Sequence, residues 1–193
     1  MKKFIAIISL LLISLTSYAQ SAFQQGDVLV SVGTSFIFYR NLENGNFSRA
    51  GTIIPAVAYA EYAINDILGL GMYGAFTSRK FKNVVSIQTI EDDFVFRTYY
   101  YNFGLRATLH LTPTLEEFTG SHLHSDRVDY YLAGLAGFEW KKYEDNQLET
   151  ERTFTPGVAA GVRYYFSPTW GLFGEVGLGI TGIATIGITG RFY

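Results

Sequence analysis

Apolar and polar positions alternate with a period of two along most of the chain that follows residue 25. Between Tyr99 and Leu109, apolar or aromatic side chains recur at every second position and all but Ala107 are large, with Asn102, Arg106 and Thr108 between them. This alternation is typical of β-strands that have one apolar face. Polar breaks divide the pattern into eight segments, so we predict strands at about 26–40, 51–64, 68–81, 95–111, 128–142, 154–166, 170–180 and 184–193.

The polar breaks between these segments alternate in length. The breaks at 41–50, 82–94 and 143–153 are long, whereas those at 65–67 and 167–169 are tight turns. Long loops at one end and tight turns at the other are typical of an up-and-down antiparallel barrel.

One further break, at 112–127, is long although it falls at the end of the tight turns. We expect a short helix in this segment, with Thr114 as its N-cap and with Glu116 and Glu117 in its first turn.

The two faces of the predicted strands differ in kind. One face carries large aliphatic and aromatic residues, and the other carries mainly Gly, Ala, Ser and Thr with isolated charges. Such a small, weakly charged face suits the narrow lumen of an eight-stranded barrel, whose outer apolar face would then contact lipid. We therefore predict an all-β fold, an eight-stranded antiparallel up-and-down transmembrane β-barrel. A soluble β-sandwich is the alternative, because its strands also alternate.

Aromatic residues cluster near the predicted strand ends. The clusters are Tyr99–Tyr101, Tyr130–Tyr131, Tyr164–Phe166 and Trp170. Amphipathic rings favour the headgroup zone of a membrane, so we interpret these clusters as aromatic girdles.

The start of the chain predicts export. Two lysines precede the apolar run Phe4–Leu15, and the small residues Ser17 and Ala19 follow it. This order is that of a secretory signal peptide, residues 1–19, with cleavage expected after Ala19. The remaining residues, 20–193, suit one domain.

Composition excludes several kinds of site. The chain has no cysteine, which excludes disulfides, thiolate metal ligands and a lipoprotein anchor. Its 17 acidic residues outnumber its 15 basic residues, and no basic patch indicates a nucleic-acid partner. We expect no metal and no cofactor.

Six charged residues in six different strands have the parity of the small, polar face. Charges inside a membrane protein must pair, and the planar guanidinium of arginine can bond two carboxylates. We predict a structural charge network that fills the lumen, although a switchable gate or an ion path is an alternative. Its members are Glu61, Arg106, Glu139, Arg163, Glu175 and Arg191.

With the signal peptide, three segments resemble the small OmpA/OmpX-type outer-membrane β-barrel proteins: AYAEYAINDILGLGMYGAF, GVRYYFSPTWGLFGEVGLG and the final GITGRFY. The resemblance covers the whole mature chain. It implies a place in the cell outer membrane of a Gram-negative envelope, in contact with lipid that includes lipopolysaccharide. It also implies insertion by the barrel assembly machinery, which reads a C-terminal strand with an aromatic end. The residues that match this signal are Ile186, Ile188, Phe192 and Tyr193.

The role within the envelope stays open among several classes. A structural, envelope-stabilising or loop-binding barrel without an open pore is the first hypothesis, with a protein partner at loops 41–50, 82–94 or 143–153, or at segment 112–127. A narrow passive channel for small solutes and an accessory subunit of a secretion or assembly machine are the alternatives.

A lipid-modifying enzyme is a further alternative. It would need a serine, a histidine and an acid within hydrogen-bond reach. His124 lies beside Ser125 and Asp126, but on the side of the tight turns, and His110 has no adjacent serine. We therefore expect no enzymatic activity.

Overall fold

The computed structural model describes residues 22–36, 47–83, 94–120, 126–144, 150–178 and 183–193. Within these residues the chain forms eight strands and one helix, α1, at Thr112–Thr119. The strands are β1 Val28–Phe36, β2 Phe47–Ala63, β3 Leu68–Asn83, β4 Phe94–His110, β5 Val128–Tyr143, β6 Glu151–Tyr165, β7 Trp170–Leu178 and β8 Ala184–Phe192.

The eight strands form one closed sheet. Each strand pairs antiparallel with the next, and β1 pairs with β8 from Val28↔Phe192 to Phe36↔Ala184. Closure leaves no unpaired sheet edge. The predicted eight-stranded up-and-down barrel is confirmed.

The barrel has two distinct ends. At one end lie the turns at 64–67 and 166–169, helix α1 and the start of β1, and we call this the turn end. The opposite end, the loop end, is where β2, β4, β6 and β8 begin. Most of the predicted long loops, at 41–46, 84–93 and 145–149, lies outside the described residues.

Several strands extend further at the loop end than the sequence pattern predicts. β2 begins at Phe47, β3 reaches Asn83 and β6 begins at Glu151. Register pairs such as Phe47↔Asn83 and Lys141↔Glu151 continue the ladder into polar sequence. Backbone pairing persists there because it needs a partner strand and not an apolar face.

The predicted N-cap of the helix is wrong. Helix α1 begins at Thr112 with Leu111 as its N-cap, and no acidic residue lies in its first turn. Pro113 explains the earlier start. The N–H groups of a helix's first turn have no acceptor within the helix, so proline, which lacks an N–H, is favoured there. Gly120 ends the helix in the left-handed conformation, with φ 64°, and donates its N–H to the carbonyl oxygen of Glu116 at 3.0 Å.

Burial follows the predicted faces closely. Along β5, Asp129, Tyr131 and Leu135 are buried in the lumen, whereas Tyr130 and Leu132 face outward. Tyr131 was predicted as a girdle residue and is instead a lumen residue, since it is only 1% exposed. The same correction applies to Tyr100 and Tyr165, because neighbouring residues of a strand point to opposite faces.

The outer surface carries an apolar band between two aromatic layers. On β5 these layers are marked by Tyr130 at the turn end and Trp140 at the loop end. Ten residues of strand span about 33 Å, which a tilt of about 40° reduces to roughly 25 Å, the height of the apolar band in outer-membrane barrels. None of the helices in the described ranges is long and apolar enough to cross a membrane.

Candidate functional site

A buried charge cluster fills the lumen, with Glu61 of β2 at its centre. The Oε2 atom of Glu61 accepts hydrogen bonds from Arg163 Nη2 at 2.9 Å and from Thr108 Oγ1 at 3.1 Å. Its Oε1 atom lies 2.8 Å from His110 Nε2. Arg106 Nε lies 3.8 Å from Oε2. One carboxylate thus joins residues of β4 and β6 to β2.

His110 lies between two carboxylates. Its Nε2 faces Glu61, and its Nδ1 lies 2.8 Å from Asp129 Oδ1 on β5. Asp129 Oδ2 also accepts a hydrogen bond from Arg163 Nη1 at 3.0 Å. Since an ionised carboxylate only accepts hydrogen bonds, both ring nitrogens donate here when the ring carries two protons.

A third carboxylate, that of Glu175 on β7, extends the cluster towards the loop end of the lumen. Arg106 Nη2 donates to its Oε1 atom, as does the hydroxyl of Tyr131 at 2.9 Å. The hydroxyl of Tyr59 donates to Oε2 at 3.0 Å. The guanidinium of Arg106 also lies 4.4 Å from the ring centroid of Tyr59, and that of Arg163 lies 4.3 Å from the centroid of Tyr131.

The charges of the cluster balance when the His110 ring is protonated. Three carboxylates, those of Glu61, Asp129 and Glu175, face two guanidinium groups and the His110 ring. Arg106 and Arg163 are each only 1% exposed, and Glu61 is 2% exposed. Charges at such depth are stable only when paired, so loss of one member leaves an uncompensated buried charge.

The contacts bring together four of the six residues predicted for the network: Glu61, Arg106, Arg163 and Glu175. The other two lie in other parts of the lumen. Arg191 lies at the turn end, where its Nη2 donates to Tyr193 Oη at 2.7 Å and to the Pro168 carbonyl at 3.1 Å. Glu139 lies towards the loop end, next to Asn102 in the strand register.

Sequence reasoning left two members out of the network. His110 and Asp129 were assigned to the lumen face, but neither was counted among its charges. They lie at the end of β4 and near the start of β5. Both are in fact buried, at 0% and 1% exposure.

The segment before β1 explains this burial, because it covers the turn end of the lumen. The ring of Phe23 stacks on the His110 ring, with centroids 3.3 Å apart and an interplanar angle of 10°. Gly26 N–H donates to the Ala63 carbonyl and Ala63 N–H donates to the Asp27 carbonyl, both at 2.9 Å. Phe23 is 2% exposed. We call residues 22–27 the N-terminal cap.

Asp27 ends the cap and is itself buried. Its Oδ2 atom accepts a hydrogen bond from Gln24 N–H at 2.9 Å. Burial raises the pKa of Asp27 above its usual value, while this hydrogen bond and the charge of Arg191 oppose the rise.

The histidines were also weighed as partners of a catalytic serine. His110 contacts two carboxylates and a phenyl ring, and no serine hydroxyl among the described residues is hydrogen-bonded to it. His122, His124 and Ser125 lie outside the described residues. In the described parts of the chain, no group of three or more His, Cys, Asp or Glu side chains could hold a metal ion.

Comparison with known proteins gives structural relatives only. No protein-family model matches the chain, and no curated protein matches it. Among solved structures, the outer-membrane protein OprG from Pseudomonas aeruginosa aligns over 89% of this chain and 98% of its own, with a TM-score of 0.57 at 8% identity. The chain has the fold of the small outer-membrane β-barrels of the OmpA/OmpX type.

Two further OmpA/OmpX-type barrels align over similar shares. The N-terminal barrel domain of Pseudomonas aeruginosa OprF aligns over 88% of this chain and 99% of its own, with a TM-score of 0.49 at 12% identity. Ail of Yersinia pestis aligns over 87% of this chain and 99% of its own, with a TM-score of 0.42 at 14% identity.

Three residues of the candidate assembly signal face outward, and the fourth, Tyr193, lies one position beyond them at the turn end, where its hydroxyl contacts Arg191. Ile186, Ile188 and Phe192 are 54%, 49% and 44% exposed, and Tyr193 is 68% exposed. The ring of Phe192 meets that of Trp170 edge to face, with centroids 6.2 Å apart.

Proposed function

We propose that this chain is an integral outer-membrane barrel with a structural, envelope-stabilising or loop-mediated binding role and no open pore. In this proposal, residues 1–19 direct export and the barrel assembly machinery reads Ile186, Ile188, Phe192 and Tyr193. The mature domain, residues 20–193, then lies among outer-membrane lipid that includes lipopolysaccharide.

The observation that carries the absence of a pore is the charge cluster across the lumen. It joins side chains from β2, β4, β5, β6 and β7, and the N-terminal cap lies beneath it. An eight-stranded barrel has room inside only for side chains. Paired charges and aromatic rings occupy that room.

The outer surface supports insertion in a membrane. Exposed large apolar side chains lie on all eight strands, among them Val32, Met72, Leu105 and Val176, which are 55–70% exposed. A soluble monomer rarely exposes so large a continuous apolar surface. A closed barrel can expose it to lipid, because all its backbone groups are paired within the sheet.

Two measurements test the proposal. The extracted protein should migrate faster on a gel without boiling than after boiling, as a closed membrane barrel does. In planar bilayers the same protein should give no steady channels. Steady channels that Arg163→Ala or Glu139→Ala abolishes would favour the narrow passive channel, and a protein that is soluble without detergent would contradict the membrane barrel.

A second candidate role, as an accessory subunit of an envelope machine, is favoured by helix α1. Phe118 on this helix is 88% exposed. Outer-membrane barrels have their short turns on the periplasmic side and their long loops outside the cell, so in this proposal the turn end faces the periplasm. A large apolar side chain left in water there suits a periplasmic partner. Phe118→Ala should then remove a protein that co-purifies with the barrel, whereas Thr114→Ala on the same helix should not.

A further inference from the structure

The outward-facing strand positions with described side chains carry four basic residues, and all four lie at the loop end of β3–β6. They are Lys80, Arg97, Lys142 and Arg152, and we call them the basic belt. The turn end carries no outward-facing basic side chain on any described strand position. The two membrane-facing rims of the barrel therefore differ in charge.

The strand register places these four residues side by side. Lys80 lies directly opposite Arg97. Lys142 pairs with Tyr99, so it lies diagonal to Arg97, and Arg152 pairs with Trp140, so it lies diagonal to Lys142. Directly opposite side chains are about 5 Å apart at Cβ, and diagonal ones are about 7–8 Å apart. The belt is one continuous row.

Arg97 and Lys142 lie immediately beyond the aromatic layer of the loop end, and Arg152 lies level with it, opposite Trp140. On β5 the outward side chains run Phe138, Trp140, Lys142, and on β4 Tyr99 precedes Arg97 towards the loop end. Aromatic side chains mark the level of the membrane interface. The four cations thus lie at the level of lipid headgroups.

Within the described residues, the belt has little compensating negative charge. Glu144 is the acidic neighbour: its Oε2 accepts a hydrogen bond from the backbone N–H of Arg97 at 3.2 Å, and its charge acts on the Arg97 side chain. No described carboxylate forms an ion pair with Lys80, Lys142 or Arg152. Like charges opposite each other on a sheet repel, so the Lys80–Arg97 pair favours a bound anion.

The guanidinium of Arg152 packs against two aromatic rings of β5. It lies 3.9 Å from the ring centroid of Phe138 and 5.3 Å from that of Trp140. Cation–π attraction to the two rings holds the guanidinium in place. Its N–H groups, which lie in the plane of the group, stay available for a phosphate.

We propose that the basic belt binds the phosphate groups of the outer-leaflet glycolipid, the lipid A portion of lipopolysaccharide. This inference rests on the proposed place of the barrel in the outer membrane, with its loop end outward. Arginine suits phosphate because its fork donates two parallel hydrogen bonds, and lysine adds a point charge. The acyl chains of the same lipid would lie along the apolar band below.

The test uses the folded mature barrel with Trp170→Phe, so that Trp140, beside Arg152, is the one remaining tryptophan. Bisphosphorylated lipid A should change Trp140 emission in a saturable way, and lipid A without phosphates should bind at least about tenfold more weakly. Lys142→Gln with Arg152→Gln should weaken binding by a similar factor. The matched control is Lys141→Gln, which removes a neighbouring lysine that pairs with Glu151 at 3.3 Å, and it should change the affinity less than about twofold.

Several outcomes would overturn the proposal. Equal affinity for lipid A with and without phosphates would contradict the proposal. This comparison needs no belt variant, so it holds even if a variant fails to fold. An equal loss in Lys141→Gln, or an equal emission change with inorganic phosphate, would also contradict the proposal. Heat-modifiable migration on a gel shows whether each sample is folded. A folded, inserted barrel whose affinity does not depend on the phosphates contradicts only this inference. Failure to insert contradicts the proposed function too.

Discussion

The ring of Phe23 lies flat on the ring of His110, with centroids 3.3 Å apart. One residue precedes the barrel and the other ends β4, so the contact fastens the N-terminal cap to the charge cluster. It shields one face of an imidazole whose two nitrogens face carboxylates. The cap is therefore part of the packed interior.

Phe23→Ala should destabilise the barrel, because it removes a buried ring and leaves a cavity above His110. We expect a loss of about 3 kcal/mol in the free energy of unfolding. Urea unfolding followed by tryptophan fluorescence in micelles would measure it. Phe118→Ala is the control, since Phe118 is 88% exposed and its loss should cost little. Equal effects of the two substitutions would show that Phe23 is not packed as described.

Arg163→Ala should destabilise the barrel strongly, because both Glu61 and Asp129 lose a hydrogen-bonded counter-charge. Breaking a buried ion pair from one side costs about 3–5 kcal/mol. The control is Arg127→Ala, which breaks an ion pair with Asp126 whose two side chains are each 43% exposed. Exposed pairs contribute at most about 1 kcal/mol. The same unfolding measurement would reveal a wrong assignment if the two losses were similar.

Gly161→Ala should disturb the cluster through Tyr131. Gly161 lies opposite Tyr131 in the register, and a Cβ at this position would overlap the tyrosine ring. Since Tyr131 holds Glu175, its displacement should destabilise the barrel by about 1–3 kcal/mol.

Gly134→Ala is the matched control for this substitution, because nothing lies within 4 Å of a Cβ there. It should leave the unfolding midpoint unchanged or slightly raised. A midpoint for Gly161→Ala equal to that of Gly134→Ala would mean that the tyrosine ring has room to move.

Asp27→Asn should change how stability depends on pH. Burial raises the folded-state pKa of Asp27, so the folded protein binds a proton more tightly than the unfolded chain does. The contribution of Asp27 to stability is then most favourable at low pH and is lost as pH rises through the folded pKa. Asparagine has no such charge to bury. The free energy of unfolding of Asp27→Asn, relative to the natural chain, should rise as pH increases above the usual aspartate range.

Urea unfolding of both chains across this range would measure that difference. Glu144→Gln provides a control at an exposed carboxylate of the loop end. A relative stability of Asp27→Asn that falls with rising pH would show that the ionised carboxylate is stabilised in the folded state.

The strand pattern was predictable because lipid and a side-chain-filled lumen impose opposite polarity on alternate residues. β4 and β5 show this over their whole length, and their faces follow from parity alone. Prediction failed where parity and residue type disagree. Tyr131 is of a residue type that favours the membrane interface, but its position in the strand has the parity of the lumen face. Its parity determines that it lies in the lumen.

The candidate site was predictable only in part, because parity places a charge in the lumen without fixing its height. Glu139 and Arg191 share a face with Glu61 but lie nearer opposite ends of the barrel. The cap was beyond sequence reasoning, since a short segment before the first strand has no periodicity that shows where it packs. Its cover over the turn end is what buries His110 and Asp129.

The charge cluster also has a consequence for the order of assembly. Glu61 and Arg163 are 102 residues apart in the chain, and Tyr59 and Glu175 are 116 apart. Neighbouring strands can pair without these two contacts, which form only once distant strands face each other across the lumen, whereas Arg163 meets Asp129 directly opposite it on the adjacent strand. A strand that slipped by one residue would turn its charged member towards lipid. The contacts of Glu61 with Arg163 and of Tyr59 with Glu175 therefore stabilise the closed barrel and not a chain in which only neighbouring strands have paired.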